Sequence, residues 1–88
     1  MPRNKNHASK AKAINDKIVA ELAKARKGKQ PKMTRAALAE ALEVEPSTAL
    51  RIENGQFKLT MERFFELCFI LELNPVDILN RIAYPSSS

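Results

Sequence analysis

The stretch TRAALAEALEVEPSTALRIENG, residues 34–55, leaves the chain little choice of architecture. Thr34 suits a helix N-cap, because its hydroxyl can accept from one of the first free amides. Leu38, Ala39 and Leu42 follow at helical spacing and make one apolar stripe. The pattern breaks at Glu43, Val44 and Glu45. It restarts at Pro46, whose fixed φ and missing N–H suit the first position of a helix. Ala49, Leu50 and Ile52 carry this second helix to Asn54–Gly55, a pair suited to a left-handed C-terminal cap. Two helices of about two turns each bury little by themselves. The pair must rest on other helices and present its second member outward.

The rest of the chain supplies those supports. Over residues 11–27, Ile14, Ile18, Leu22 and Ala25 fall on one face, with Lys17, Glu21 and Lys24 on the polar side. Gly28 and Pro31 end that helix in a basic loop that carries Lys29 and Lys32. After Gly55 the loop Gln56–Phe57–Lys58–Leu59 leads to Thr60, which caps a further helix. Glu62 and Glu66 stand toward its start, as the helix dipole prefers. Met61, Phe64, Phe65, Cys68 and Leu71 are expected to form its core stripe. Leu67, Phe69, Ile70 and Leu73 leave it apolar nearly all round, so it needs a second buried face. Asn74–Pro75 is a cap followed by a first-turn proline, and Val76, Ile78, Leu79 and Ile82 make a short last helix. Residues 1–10 are expected to be a disordered basic arm and residues 84–88 a flexible tail. The sequence therefore predicts an all-α, compact five-helix bundle, one domain over residues 11–83.

Charge is unevenly spread. Residues 1–35 hold eleven Lys/Arg against Asp16 and Glu21, a net of +9, while residues 36–88 hold four against eight acids, a net of −4. A basic half joined to an acidic half implies an anionic partner at one end, or else a solvated basic tail. Cys68 is the single cysteine and His7 the single histidine, which excludes an internal disulfide and any Cys/His metal cluster. Cys68 reads as a small core residue. No catalytic constellation, glycine-rich phosphate loop or apolar carboxylate pair is present, so no enzyme, cofactor or metal is expected. No signal region and no span near 18 apolar residues occurs, and a cytoplasmic or nucleoid-associated place is expected.

The residues T-R-A-A-L-A-E-A-L-E-V, then S-T, then R-I-E-N-G resemble the helix-turn-helix of the Cro/repressor (XRE-type) family of phage and bacterial DNA-binding regulators. The resemblance covers roughly residues 14–82 and implies a lambda-repressor-like DNA-binding domain. Three positions depart from the family's pattern: Arg35 stands where Gln is usual, Glu43 where Gly is usual, and Glu45 where Ser is usual. A turn glycine of this kind sits at positive φ, where a residue with a Cβ costs on the order of 1 kcal/mol.

The resemblance implies that the second helix lies in the major groove of double-stranded DNA and that its first residues read base edges. Here those are Pro46, Ser47 and Thr48, with Arg51 one turn on. Proline offers no donor, so Ser47, Thr48 and Arg51 carry most of the reading. Leu50 either touches a thymine methyl or is a covered core residue. By the same resemblance Arg35, Asn54, Gln56 and Lys58 would meet phosphates or an outer base, joined by Lys29 and Lys32 from the basic loop. Glu53 is expected to pair with an arginine of the first helix, for which Arg26 is the candidate. The basic arm either contacts DNA or is merely solvated. Phe69 and Ile70, with Ile78 and Ile82, make an apolar patch surplus to a monomer and imply a homodimer on a near-palindromic site, unless Phe69 packs under the N-terminal helix. Two function classes remain: a homodimeric, sequence-specific transcriptional regulator, chiefly a repressor, or the antitoxin of a toxin–antitoxin pair that also binds DNA. The short tails favour the regulator.

Overall fold

The computed structural model describes residues 5–83 and folds them into five helices with no strand among the described residues. They are α1 (Lys5–Lys27), α2 (Arg35–Leu42), α3 (Pro46–Glu53), α4 (Met61–Leu71) and α5 (Pro75–Ile82). Local chemistry sets most of these bounds. The Thr34 hydroxyl accepts from the Ala37 amide at 3.0 Å, that of Thr60 from the Arg63 amide at 3.1 Å, and the Asn74 side chain from the Val76 amide at 2.8 Å. Prolines open α3 and α5 where their missing N–H costs nothing. Glu45 precedes α3 without a side-chain capping bond, as a longer acid in a Ser position should.

Three helices end in the same hydrogen-bonded motif. After α2, the Glu43 amide reaches the Glu40 carbonyl and the Val44 amide that of Ala39. The same pair of bonds closes α3 around Gly55 and α4 around Glu72. The motif demands a left-handed residue at its centre. Gly55 meets that demand at φ +75, but Glu43 and Glu72 do so at φ 61 with a Cβ in place. An added Cβ at Gly55 would also stand 3.1 Å from Asp16 Oδ1, so that carboxylate would have to give by a few tenths of an ångström.

The left-handed strain at Glu43 gives a direct test. The conformation costs about 1–2 kcal/mol for a residue with a Cβ, and glycine gives back about 0.5–1 kcal/mol in the unfolded chain. Glu43→Gly is thus expected to stabilise the fold by about 0.5–1 kcal/mol, read as a higher urea midpoint at unchanged slope. A lower midpoint would mean that the turn carries no strain.

The core is built from all five helices: Ile18 and Leu22 of α1, Leu38 and Leu42 of α2, Ile52 of α3, Phe64, Leu67, Cys68 and Leu71 of α4, and Ile78 of α5. α2 packs on α3 and α4, while α1 crosses α3, α4 and α5 from behind. Cys68 is a buried free thiol, and burial pushes its pKa up.

Four expectations need correction. Helix α1 begins at Lys5, so residues 5–10 are helical; residues 1–4 and the 84–88 tail lie outside the described residues. Ala8, Ala11 and Ala13 with Lys10 and Lys12 are strong helix formers, and they extend the helix past its last core contact. In α4 the buried positions are 64, 67, 68 and 71, an i, i+3, i+4, i+7 set. Leu67 is therefore core, whereas Met61 and Phe65 are exposed. Ile78 is 1% exposed and belongs to the core, not to a dimer surface, because α5 lays that side on α1 and α4. Phe69 does not pack under α1: it is 72% exposed.

Candidate nucleic-acid interface

Helix α3 is held from its inner side and open on its outer one. Ala49 and Ile52 are buried, whereas Ser47, Leu50, Arg51 and Asn54 are exposed. These four stand at i, i+3, i+4 and i+7, so they form one outward row. Leu50 is 38% exposed, which removes the core alternative for it. Pro46 heads the row and Thr48 sits half-buried beside it, on the rim of a groove shared with Phe57, Lys58, Thr60 and Arg63. The sequence assigns Phe57 to a loop and Thr60 to a helix cap and gives Arg63 no role; their grouping depends on how the loop after α3 folds back on α4.

The expected pair of Arg26 and Glu53 is present and is part of a larger knot. Arg26 Nε donates to Glu53 Oε2 at 2.6 Å and Nη2 to Oε1 at 3.2 Å. Its Nη1 donates to the Met33 carbonyl at 3.0 Å. Arg35 Nε donates to Glu53 Oε1 at 3.1 Å. The side chains of Arg26 and Glu53 are only 7% and 8% exposed. The Glu53 carboxylate thus ties the end of α1 and the start of α2 to the end of α3, and Arg26 adds the link through Met33. Burial by itself would raise the Glu53 pKa, but the hydrogen bonds and positive charges of Arg26 and Arg35 outweigh it and hold the carboxyl below its ordinary value.

The expected phosphate-contacting residues divide into two groups. Asn54, Gln56, Lys58 and Lys32 are exposed, and neither lysine has an ion partner among the described residues. The amides of Asn54 and Gln56 are not available, since they bond the Leu50 and Arg51 carbonyls at 2.9 and 3.0 Å. Only their side chains face outward. Lys29 is engaged elsewhere, its amine 3.2 Å from Glu72 at the far end of α4. Arg35 gives Nε to Glu53 and keeps a side chain 41% exposed, so one edge of its guanidinium still faces solvent.

The loop that carries Gln56 and Lys58 is anchored by a residue the sequence reading passed over. Asn15 of α1 accepts from the Leu59 amide at 3.0 Å. A signal was present: positions 15, 19, 22 and 26 run i, i+4, i+7, i+11 and define a second stripe on α1. Its apolar middle, Val19 and Leu22, is bracketed by Asn15 and Arg26, and both brackets prove to be tethers.

Among the described residues no group of His, Cys, Asp or Glu could hold a metal ion. No helix is long and apolar enough to cross a membrane.

A short exposed helix, seated on a second short helix across a left-handed turn and backed by three others, defines a helix-turn-helix DNA-binding domain. Residues 22–78 match the family model for helix-turn-helix proteins, and the chain belongs to that Cro/repressor-type (XRE) family. No curated protein and no solved structure matches it. The family is one of DNA-binding transcriptional regulators, and this chain is one of them.

Proposed function

We propose that the protein is a repressor that binds a near-palindromic operator as a homodimer, with α3 in the major groove. The observation that carries this reading is the outward row of α3, locked from behind by the buried Arg26–Glu53 knot. Arg51 reads a guanine through its two acceptors, Ser47 and Thr48 read adjacent edges, and Leu50 meets a thymine methyl. Pro46 contributes shape alone. Arg35, Lys32, Asn54, Gln56 and Lys58 hold the phosphates on either side and fix the register. Glu45 adds a negative charge at the entry to α3 and tempers affinity for all sequences alike.

The dimer surface rests on Phe69, Ile70 and Ile82, with Leu73 and Val76 at the α4–α5 corner. Phe69 and Val76 are 72% and 59% exposed, while Ile70, Leu73 and Ile82 are half-buried and pack in part against the core, so Phe69 and Val76 are the open apolar groups that a partner copy would cover. Two-fold pairing there sets two α3 helices about 34 Å apart, one turn of DNA. The protein acts by occupancy, with no reaction of its own.

Selection of bound duplexes from a random pool supplies the operator. Against that site, Arg51→Ala is expected to weaken binding by about 1–3 kcal/mol and to flatten the preference at one base pair per half-site. Should the preference survive intact, α3 does not lie in the groove as proposed.

A further inference from the structure

The N-terminal part of α1 has no structural employment. Residues 6–13 are all exposed, and the first half-buried side chain is Ile14. Eight residues carry the helix about 12 Å beyond the body of the domain. That extension starts beside the loop after α3: Asn15 holds the Leu59 amide, and Asp16 lies against Gly55. The loop carries Gln56 and Lys58, so the extension continues the phosphate-facing edge of the domain.

Its charge is one-sided. Residues 1–13 contain Arg3, Lys5, Lys10 and Lys12 and no acid. The first turn of α1 has no acidic residue either, so no carboxylate of that turn complements the positive end of the helix dipole. An anion beside this segment would relieve both costs. Register then sorts the lysines. Lys12 shares a face of α1 with Asn15 and Asp16, at i, i+3 and i+4, and Lys5 stands two turns earlier in the same register. Lys10 and Lys17 fall on the opposite side. Lys12 is paired with Asp16 at 3.1 Å, but both side chains are largely exposed, so the pair is weak and readily exchanged for a phosphate.

We propose that residues 5–13 form a helical strut that lies along the DNA backbone next to the loop between α3 and α4, with Lys5 and Lys12 on phosphates outside the base pairs that α3 reads. The inference rests on the DNA-binding reading of α3. A reach of about 12 Å spans three to four phosphates of one strand, at one per 3.4 Å of axis, which is room enough for two lysine contacts.

The test removes equal charge from the two faces of the strut. Lysine to alanine preserves the helix, since alanine is the best helix former. The selected operator is used with several base pairs of flanking duplex. Lys5→Ala/Lys12→Ala is expected to reduce the steepness of log K against log salt by about 1.8 per protomer. At 50 mM salt it binds more weakly than the unmutated protein, and the gap narrows by about tenfold per protomer on going to 200 mM. Its base preference is unchanged, and trimming the flanks costs it little. Lys10→Ala/Lys17→Ala is expected to shift the slope by less than half as much. Equal slopes for the two double variants would overturn the strut, leaving only net charge. Unchanged affinity of Lys5→Ala/Lys12→Ala on an operator still bound specifically would overturn it too, while the DNA-binding reading stands. Failure of the unmutated protein to bind any duplex would overturn both.

Discussion

Glu53→Ala is expected to cost the domain about 3–5 kcal/mol, because it strands the Arg26 guanidinium in a site where its side chain is 7% exposed. A chain of this size has only about 5–15 kcal/mol of stability to lose, so the loss is a large fraction of the total. Urea unfolding followed by helical circular dichroism reads the loss. A cost below about 1 kcal/mol would mean that the knot is a surface pair in effect. Glu53→Gln should be milder, since one oxygen still accepts from an arginine. The knot also makes stability depend on acid. The native Glu53 pKa is lowered by Arg26 and Arg35 against the opposing effect of burial. Its contribution is therefore complete above the unfolded glutamate value of about 4.3. It is lost as pH falls through the depressed native value. The urea midpoint of the unmutated protein should fall over that range more steeply than that of Glu53→Gln.

The operator complex is expected to be highly sensitive to salt. If each protomer neutralises about four phosphates, the proposed dimer covers about eight, and log K falls with log salt at a slope near −7. Raising salt from 50 to 200 mM then weakens binding by about 10⁴-fold. Lys32, Lys58 and the open edge of Arg35 supply three such contacts per protomer, and the two lysines of the proposed strut would bring the total to five and the dimer's slope toward about −9. Phe69→Glu should halve the slope and erase the preference for two half-sites, because it leaves a monomer that covers one. A slope near −3.5 for the unmutated protein would mean that it binds singly and that the α4–α5 corner has another use. Fluorescence anisotropy across a salt series makes the measurement.

Both results turn on features that are unequally visible in the sequence. The caps are legible one by one, since Thr34, Thr60 and Asn74 act on amides two or three residues away. Pro46 and Pro75 are legible for the same local reason. The left-handed turn at Glu43 follows from comparison with a glycine pattern. Glu72, with the same φ of 61, escapes notice because nothing in Leu71–Glu72–Leu73 distinguishes it from helix interior. The start of α1 is misplaced when the burial stripe is taken to bound the helix, whereas alanine and lysine continue a helix that no longer buries anything.

The sequence by itself determined five helices, the N-terminal caps of α2, α4 and α5, the pairing of α2 with α3 and the helix-turn-helix family, because each is written in spacings of three to eleven residues or in one recognisable stretch. The Arg26–Glu53 bond, 27 positions apart, followed only from the family resemblance. Only the tertiary structure decided which face each apolar helix shows. Phe65 and Leu67 are equally apolar, and so are Val76 and Ile78, yet in each pair one is covered and the other exposed. It also decided that Arg35 joins Glu53, that Lys29 turns to Glu72 and that Asn15 anchors the loop after α3. These bonds join residues 18 to 44 positions apart, and their geometry depends on how whole helices cross, which periodicity along one helix does not encode.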